Sequence, residues 1–225
     1  MLQLSDKEDA AAADEYSDIT LRLLDLTDFD DFMEWFADDN VNKFTSTDTF
    51  TTSKEGAMRY IVDVVIPHPW FRAICLNGKP IGSIAVTPFD ESDRFMSEIE
   101  YELSSKYWGK GIATKAVKMV VAAVFMEWPQ LERLQAVVDI DNLGSQRVLE
   151  KVGFTKEGVL RKCYLLNGKA RDMIMYSLLS TDPQLYNLAP DIRKREKSSC
   201  DKKKSHPKRI ILRGGYARLE PKELK

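Results

Sequence analysis

Histidine is nearly missing from this chain: two in 225 residues, His68 between prolines and His206 close to the C-terminus. So placed, they argue against a metal site or a histidine-based triad. The three cysteines, Cys75, Cys163 and Cys200, lie far apart, with neither pairing nor metal-ligand spacing. An odd, scattered set fits reduced thiols in a cytoplasmic compartment. There is no long apolar run. The longest, Met119 to Met126, falls well short of the roughly 20 residues that cross a bilayer. The opening Met1-Leu-Gln-Leu-Ser-Asp-Lys-Glu-Asp9 is acidic and lacks the basic start and apolar stretch of a secretory signal. A soluble protein with no membrane partner is expected.

A dominant charge is missing too, since the net value is only −2, but the charges are unevenly placed. Residues 1–18 carry six acids against Lys7, and residues 181–225 carry thirteen Lys and Arg against six acids. The body between them does not look like a nucleic-acid-binding domain. The expected organisation is a disordered acidic head (1–18), one folded domain (19–180) and a basic, disordered tail (181–225). The tail is the only segment that suggests nuclear import or a weak RNA contact.

What the chain does have is Glu98-Ile-Glu-Tyr-Glu-Leu-Ser-Ser-Lys-Tyr-Trp-Gly-Lys-Gly-Ile-Ala-Thr114. Strand-like alternation runs into a turn punctuated by glycine, and the turn opens an apolar helix. Gly109 and Gly111 allow bare backbone to approach a ligand, and the first helical turn leaves its amides unpaired. A diphosphate-bearing ligand is the first hypothesis. A nucleotide P-loop would need Ser or Thr directly after the lysine, but Lys110 is followed by Gly111. A dinucleotide fingerprint would need glycine where Thr114 stands.

Elsewhere the pattern predicts strands at Ile19–Leu24, Phe71–Leu76, Ile81–Val86, Glu98–Leu103 and Leu134–Ile140, then two more from Phe154 and from Arg171 to Leu178. Asn77-Gly78 suits a tight reversed turn. Helices are predicted through Phe29, Phe32, Met33 and Phe36, after a Ser53 cap, from Ile112 to Trp128, and from an Asp141-Asn142 cap to Gly153. The order predicts an α+β or three-layer α/β domain.

The order of elements, the Gly109-Lys-Gly-Ile-Ala-Thr114 turn, and Asp141-Asn-Leu-Gly-Ser-Gln-Arg-Val-Leu-Glu-Lys-Val-Gly-Phe154 together resemble the GNAT superfamily of N-acetyltransferases. Ile19-Thr-Leu-Arg22 and Phe154-Thr-Lys-Glu-Gly158 are similar to its ribosomal-protein and spermidine acetyltransferase group. Ile66-Pro-His-Pro-Trp-Phe-Arg-Ala-Ile74 is similar to plant members. The resemblance spans roughly 19–179. It implies a mixed, mostly antiparallel central sheet with splayed strands and flanking helices, and direct acetyl transfer from acetyl-CoA, without a metal, to a primary amine. The acceptor would be a protein N-terminus, a lysine or a polyamine. A catalytically inactive coenzyme-binding or adaptor module, working through its basic tail, is the alternative.

Residue by residue, the resemblance implies that amides of Gly109, Lys110, Gly111, Ile112, Ala113 and Thr114 hold the diphosphate. Gly111 and Ala113 match the loop pattern, whose leading Arg or Gln position is Trp108. Backbone groups near Tyr101 and Leu103 would bond the pantetheine amides and polarise the thioester carbonyl. Asn142 would cap its helix and touch the cofactor arm, and Ser145 would donate to the departing thiolate. Leu149 stands where many members place a tyrosine acid, and Tyr164 where some place a glutamate base. Glu98, Glu100 and Glu102 alternate onto one face of their strand, opposite Ile99, Tyr101 and Leu103. Glu98 is expected as the base, through water, with Glu100 next, and a strand bulge here would re-aim one of them.

Overall fold

A computed structural model describes residues 16, 18–45, 53–90, 93–166 and 168–188. Most of the acidic head, Phe50, and the tail beyond 188 lie outside the described residues. The strands are β1 (Ile19–Arg22), β2 (Phe71–Leu76), β3 (Lys79–Pro88), β4 (Met96–Leu103), β5 (Arg133–Asp139), β6 (Thr155–Leu166) and β7 (Lys169–Leu179). The helices are α1 (Phe29–Phe36), α2 (Asp39–Asn42), α3 (Lys54–Tyr60), α4 (Ile112–Glu127), α5 (Leu143–Val152) and α6 (Pro183–Leu188).

All seven strands form one sheet in the order β1-β2-β3-β4-β5-β7-β6. Every neighbouring pair is antiparallel except β4 and β5. That parallel pair is short, joining only Met96–Glu98 to Arg133–Gln135. Beyond Glu98 the two strands part, and this splay is what positions the site.

Helices cover the two faces of the sheet unequally. One core gathers Ile84, Ile99 and Leu103 under α4 and α5, with Val117, Val120, Val121 and Leu149 among its buried members. A second core joins Phe32, Trp35 and Phe36 of α1 and Ala57 of α3 to Phe71, Ala73 and Ala85 of β2 and β3. The strand pattern explains the division: Phe71, Ala85 and Glu100 lie level across β2, β3 and β4, so they share a face. That face is apolar under α1 and α3 and becomes acidic at β4.

Local signals behave as their chemistry requires. Asn77 and Gly78 both take positive φ (50° and 81°), the two-residue reversed turn that suits a hairpin. Ser53 accepts the Gly56 amide at 3.1 Å, and α3 runs on through a wider turn in which Ile66 N–H reaches Ile61 O before Pro67. Asp28 does not cap α1. It is buried and paired bidentately with Arg22, at 2.7 and 2.6 Å.

Two expectations need correction. No register shift interrupts the β3–β4 ladder from Gly82↔Leu103 to Pro88↔Ser97, so the bulge expected in β4 is missing there. Gly82 is what allows the close, regular pairing, because a Cβ at that position would stand 2.3 Å from Glu102 O. The folded domain also runs past residue 180. Residues Pro183–Leu188 form α6, with Leu185 fully buried, in a stretch assigned by composition to the tail.

Candidate active site

A cleft of about 510 Å³ opens where β4 and β5 part. Its walls are the end of β4, the loop into α4 and the first turns of α5, with Val41, Phe44 and Thr45 at one rim. Of the residues proposed for the coenzyme, Tyr101, Leu103, Trp108, Gly109, Gly111, Ile112, Ala113, Thr114, Asn142 and Ser145 all line it. Lys110 does not. Its ammonium lies over the rings of Tyr16 and Tyr107, at 4.7 and 5.5 Å from their centroids.

The mouth of the cleft is the N-terminus of α4. Gly109 and Gly111 both have φ of +77°, a backbone region that other residues enter only at a cost. A Cβ at either would meet no protein atom within 4 Å. The glycines are therefore required by backbone handedness, and the space before them is open to a ligand. No side chain caps α4, in contrast to α5, where Asn142 Oδ1 accepts the Ser145 amide at 3.1 Å. The first helical bond returns from Lys115 N–H to Gly111 O, so the amides of Ile112, Ala113 and Thr114 precede it. Amides and helix dipole converge there on one open space, and a diphosphate fits that donor set.

Inside the splay, Ser104 N–H bonds Ile81 O on β3. Strand alternation then turns the peptide groups of Leu103 and Tyr101 away from β3, into the gap. The Leu103 carbonyl already accepts the Trp108 indole N–H at 2.7 Å. Tyr101 reaches across to α5, where its hydroxyl shares a 2.8 Å hydrogen bond with Ser145 Oγ and lies 3.2 Å from Ser145 O. Burial pushes the Tyr101 phenol upward, so it is a neutral hydroxyl at neutral pH. Leu149 is fully buried in the core behind it.

The carboxylates occupy the other face. Glu102 lines the cleft, whereas Glu98 and Glu100 stand farther down β4 and do not. Gln135 Nε2 donates to Glu98 at 3.1 Å. Desolvation raises all three carboxyls, aided at Glu100 by the charge of Glu98. Burial and then the neighbouring Glu100 push Glu102 up to about 7. Tyr60 of α3 faces the same pair: burial, then Glu102 and Glu100, raise its phenol. It stacks on Phe32 with centroids 6.0 Å apart.

Sequence reasoning missed Glu102 and Tyr60 as members of the site. Strict alternation was the available signal for Glu102; nothing local marked Tyr60. Trp35, Phe36, Trp70 and Phe71 are buried core residues, while Phe44 reaches the cleft. His68 is anchored rather than loose. Its Nδ1 accepts the Trp70 amide and its Nε2 bonds Thr87 Oγ1, both at 3.1 Å. Among the described residues no cluster of metal-ligating side chains forms, and no helix is long and apolar enough to span a membrane.

A strand splay with an uncapped glycine turn at its mouth and paired hydroxyls inside defines a coenzyme-dependent acyltransferase. Residues 18–155 match the acetyltransferase (GNAT) domain, and the chain belongs to that family of acetyl-CoA-dependent enzymes. It is 28% identical over 169 residues to an uncharacterized N-acetyltransferase, p20, of Bacillus licheniformis, covering 73% of this chain and 94% of p20. It is 30% identical over 98 residues to spermidine N(1)-acetyltransferase of Escherichia coli (strain K12), covering 44% of this chain and 52% of that enzyme. The solved ribosomal-protein-S5-alanine acetyltransferase of Vibrio fischeri shares the fold with TM-score 0.63 and 23% identity, over 73% of this chain and 94% of that one. These relatives are bacterial and give the plant-like segment at Ile66–Ile74 no support.

Proposed function

We propose that the protein moves the acetyl group of acetyl-CoA directly onto a primary amine, which enters from the carboxylate-bearing face of β4. The observation that carries this reading is the splay. A pantetheine chain laid between β4 and β5 meets peptide groups of β4 that point away from β3 on one side and the Tyr101–Ser145 hydroxyls on the other, with the α4 amides at its phosphate end.

Residue roles follow from position. Glu102 takes the proton of the acceptor ammonium, because it alone of the three carboxylates lines the cleft and is poised near neutral pH. The amine nitrogen then bonds the thioester carbon as the carbon–sulfur bond breaks. A peptide N–H in the gap holds the carbonyl oxygen. Ser145 donates a hydrogen bond to the leaving thiolate, which takes up the proton that the nitrogen sheds as the amide forms, and Tyr101 orients that hydroxyl. Glu98, the base expected from the sequence, acts as an outer charge that helps keep Glu100 basic, and Glu100 in turn raises Glu102.

The acceptor is a cationic amine: a protein N-terminus or lysine, the Vibrio fischeri enzyme being named for an alanine of a ribosomal protein, or a polyamine, the E. coli relative being named for spermidine. Thiol release from acetyl-CoA with peptide N-termini, lysine peptides and spermidine decides among them. Turnover on at least one amine, lost in Glu102→Gln, supports the assignment. Coenzyme binding without turnover on any of them contradicts it.

A further inference from the structure

Two cations on the cleft wall have no role in the account above. Arg147 and Lys151 of α5 both line the cleft, and both are exposed. Neither shows a hydrogen bond, ion pair or ring contact among the described residues. They are four residues apart, so their side chains leave the helix on one face about 6 Å apart, where like charges repel.

Nearby acids do not neutralise them. Asp141, also on the wall, is held by Arg171, which bridges it to buried Asp139. Glu150 is engaged by the Tyr176 hydroxyl at 3.1 Å. Glu102 belongs to the chemical end of the cleft, where Ser145 lies. From Ser145 to Lys151 the helix rises six residues, about 9 Å, away from the reacting centre. The cations therefore face whatever part of the ligand trails behind its diphosphate.

We propose that Arg147 and Lys151 bind the 3′-phosphate of coenzyme A and so select the coenzyme over its dephosphorylated form. The inference rests on the coenzyme reading above and adds a specificity site to it. The diphosphate has its own donors in the α4 amides. Adenine and ribose are uncharged, so the 3′-phosphate is the one remaining group on the ligand with charge for two cations. A shared dianion also relieves their mutual repulsion, and the arginine fork suits phosphate oxygens. Lys110, which does not line the cleft, has its ammonium over the rings of Tyr16 and Tyr107.

Calorimetric titration of the full chain with CoA and with 3′-dephospho-CoA tests the proposal. The wild type is expected to bind CoA about tenfold more tightly, with a steeper loss on raising salt. Arg147→Gln/Lys151→Gln is expected to bind both ligands within about twofold of the wild-type value for 3′-dephospho-CoA, which also shows that the variant is folded. Lys110→Gln is expected to keep the preference. Equal binding of the two ligands by the wild type overturns the inference and leaves the coenzyme reading intact. So does a preference that survives in the double variant or vanishes in Lys110→Gln. Failure of both ligands to bind the wild type removes the coenzyme reading, and this site with it.

Discussion

The two faces of β4 differ more than their spacing suggests. On one, Ile99, Tyr101 and Leu103 meet α4 and α5, and the only polar atom offered is a phenol bonded to Ser145. On the other stand Glu98, Glu100 and Glu102, and the last two look toward Tyr60, which packs against the α1–α3 core. In the proposed reaction one face handles the leaving sulfur and the other the incoming amine, with the strand as the partition. A strand that keeps β3 on one edge but loses β5 from the other beyond Glu98 creates access to both faces at one level. Regular alternation then aims adjacent residues, Tyr101 and Glu102, to opposite faces.

The sharpest break of this contrast is Glu102→Gln. We expect kcat/KM to fall about 300-fold, with loss of the rise through pH 7 that steady-state profiles should show for the wild type. The same variant tests stability. A carboxyl whose folded value lies above its unfolded one lets the native state hold more protons between the two. Native stability therefore declines as pH rises from about 4.5 to about 7. Thermal melts of Glu102→Gln and wild type should coincide near pH 4, and the variant should melt higher at pH 8.

On the opposite face the effect is smaller. Ser145→Ala should lower kcat by about 30-fold, and Tyr101→Phe by about fivefold with KM little changed, because Tyr101 acts through Ser145. A structural role alone would leave the alkaline limb of the pH profile unmoved in Tyr101→Phe, whereas we expect it to shift. Gly111→Ala should destabilise by about 1 kcal/mol through its left-handed backbone, read by denaturant melts, and weaken CoA binding by calorimetry. The mildest is Glu98→Gln. Initial-rate assays should show a change within about threefold, since its carboxylate bonds Gln135 rather than lining the cleft. A loss there as large as in Glu102→Gln would reverse the order along the strand.

Much of this was legible in the sequence because the signals are local. Alternation marked β4, the Asn77-Gly78 turn marked the first hairpin, and Asn142 marked the start of α5. The glycine turn was legible as the open start of a helix, although its glycines answer to φ rather than to crowding. Long-range packing was not legible. Gly82 permits the close β3–β4 pairing because a Cβ there would stand 2.3 Å from Glu102 O, twenty residues away. Tyr60 meets the carboxylates only because α3 lies across β3, and α6 is fixed by Leu185 entering a core built by distant residues. Nor was the place of the Lys110 ammonium, over the rings of Tyr16 and Tyr107, legible from local sequence.

Hydrogen exchange of the full chain with and without CoA tests the central claim most directly. The account predicts added protection in two stretches together: 101–103, where the splayed edge of β4 gains a ligand, and 109–114, where the helix amides gain an anion. Protection confined to the β6–β7 hairpin, or none in either stretch at saturating CoA, would contradict it.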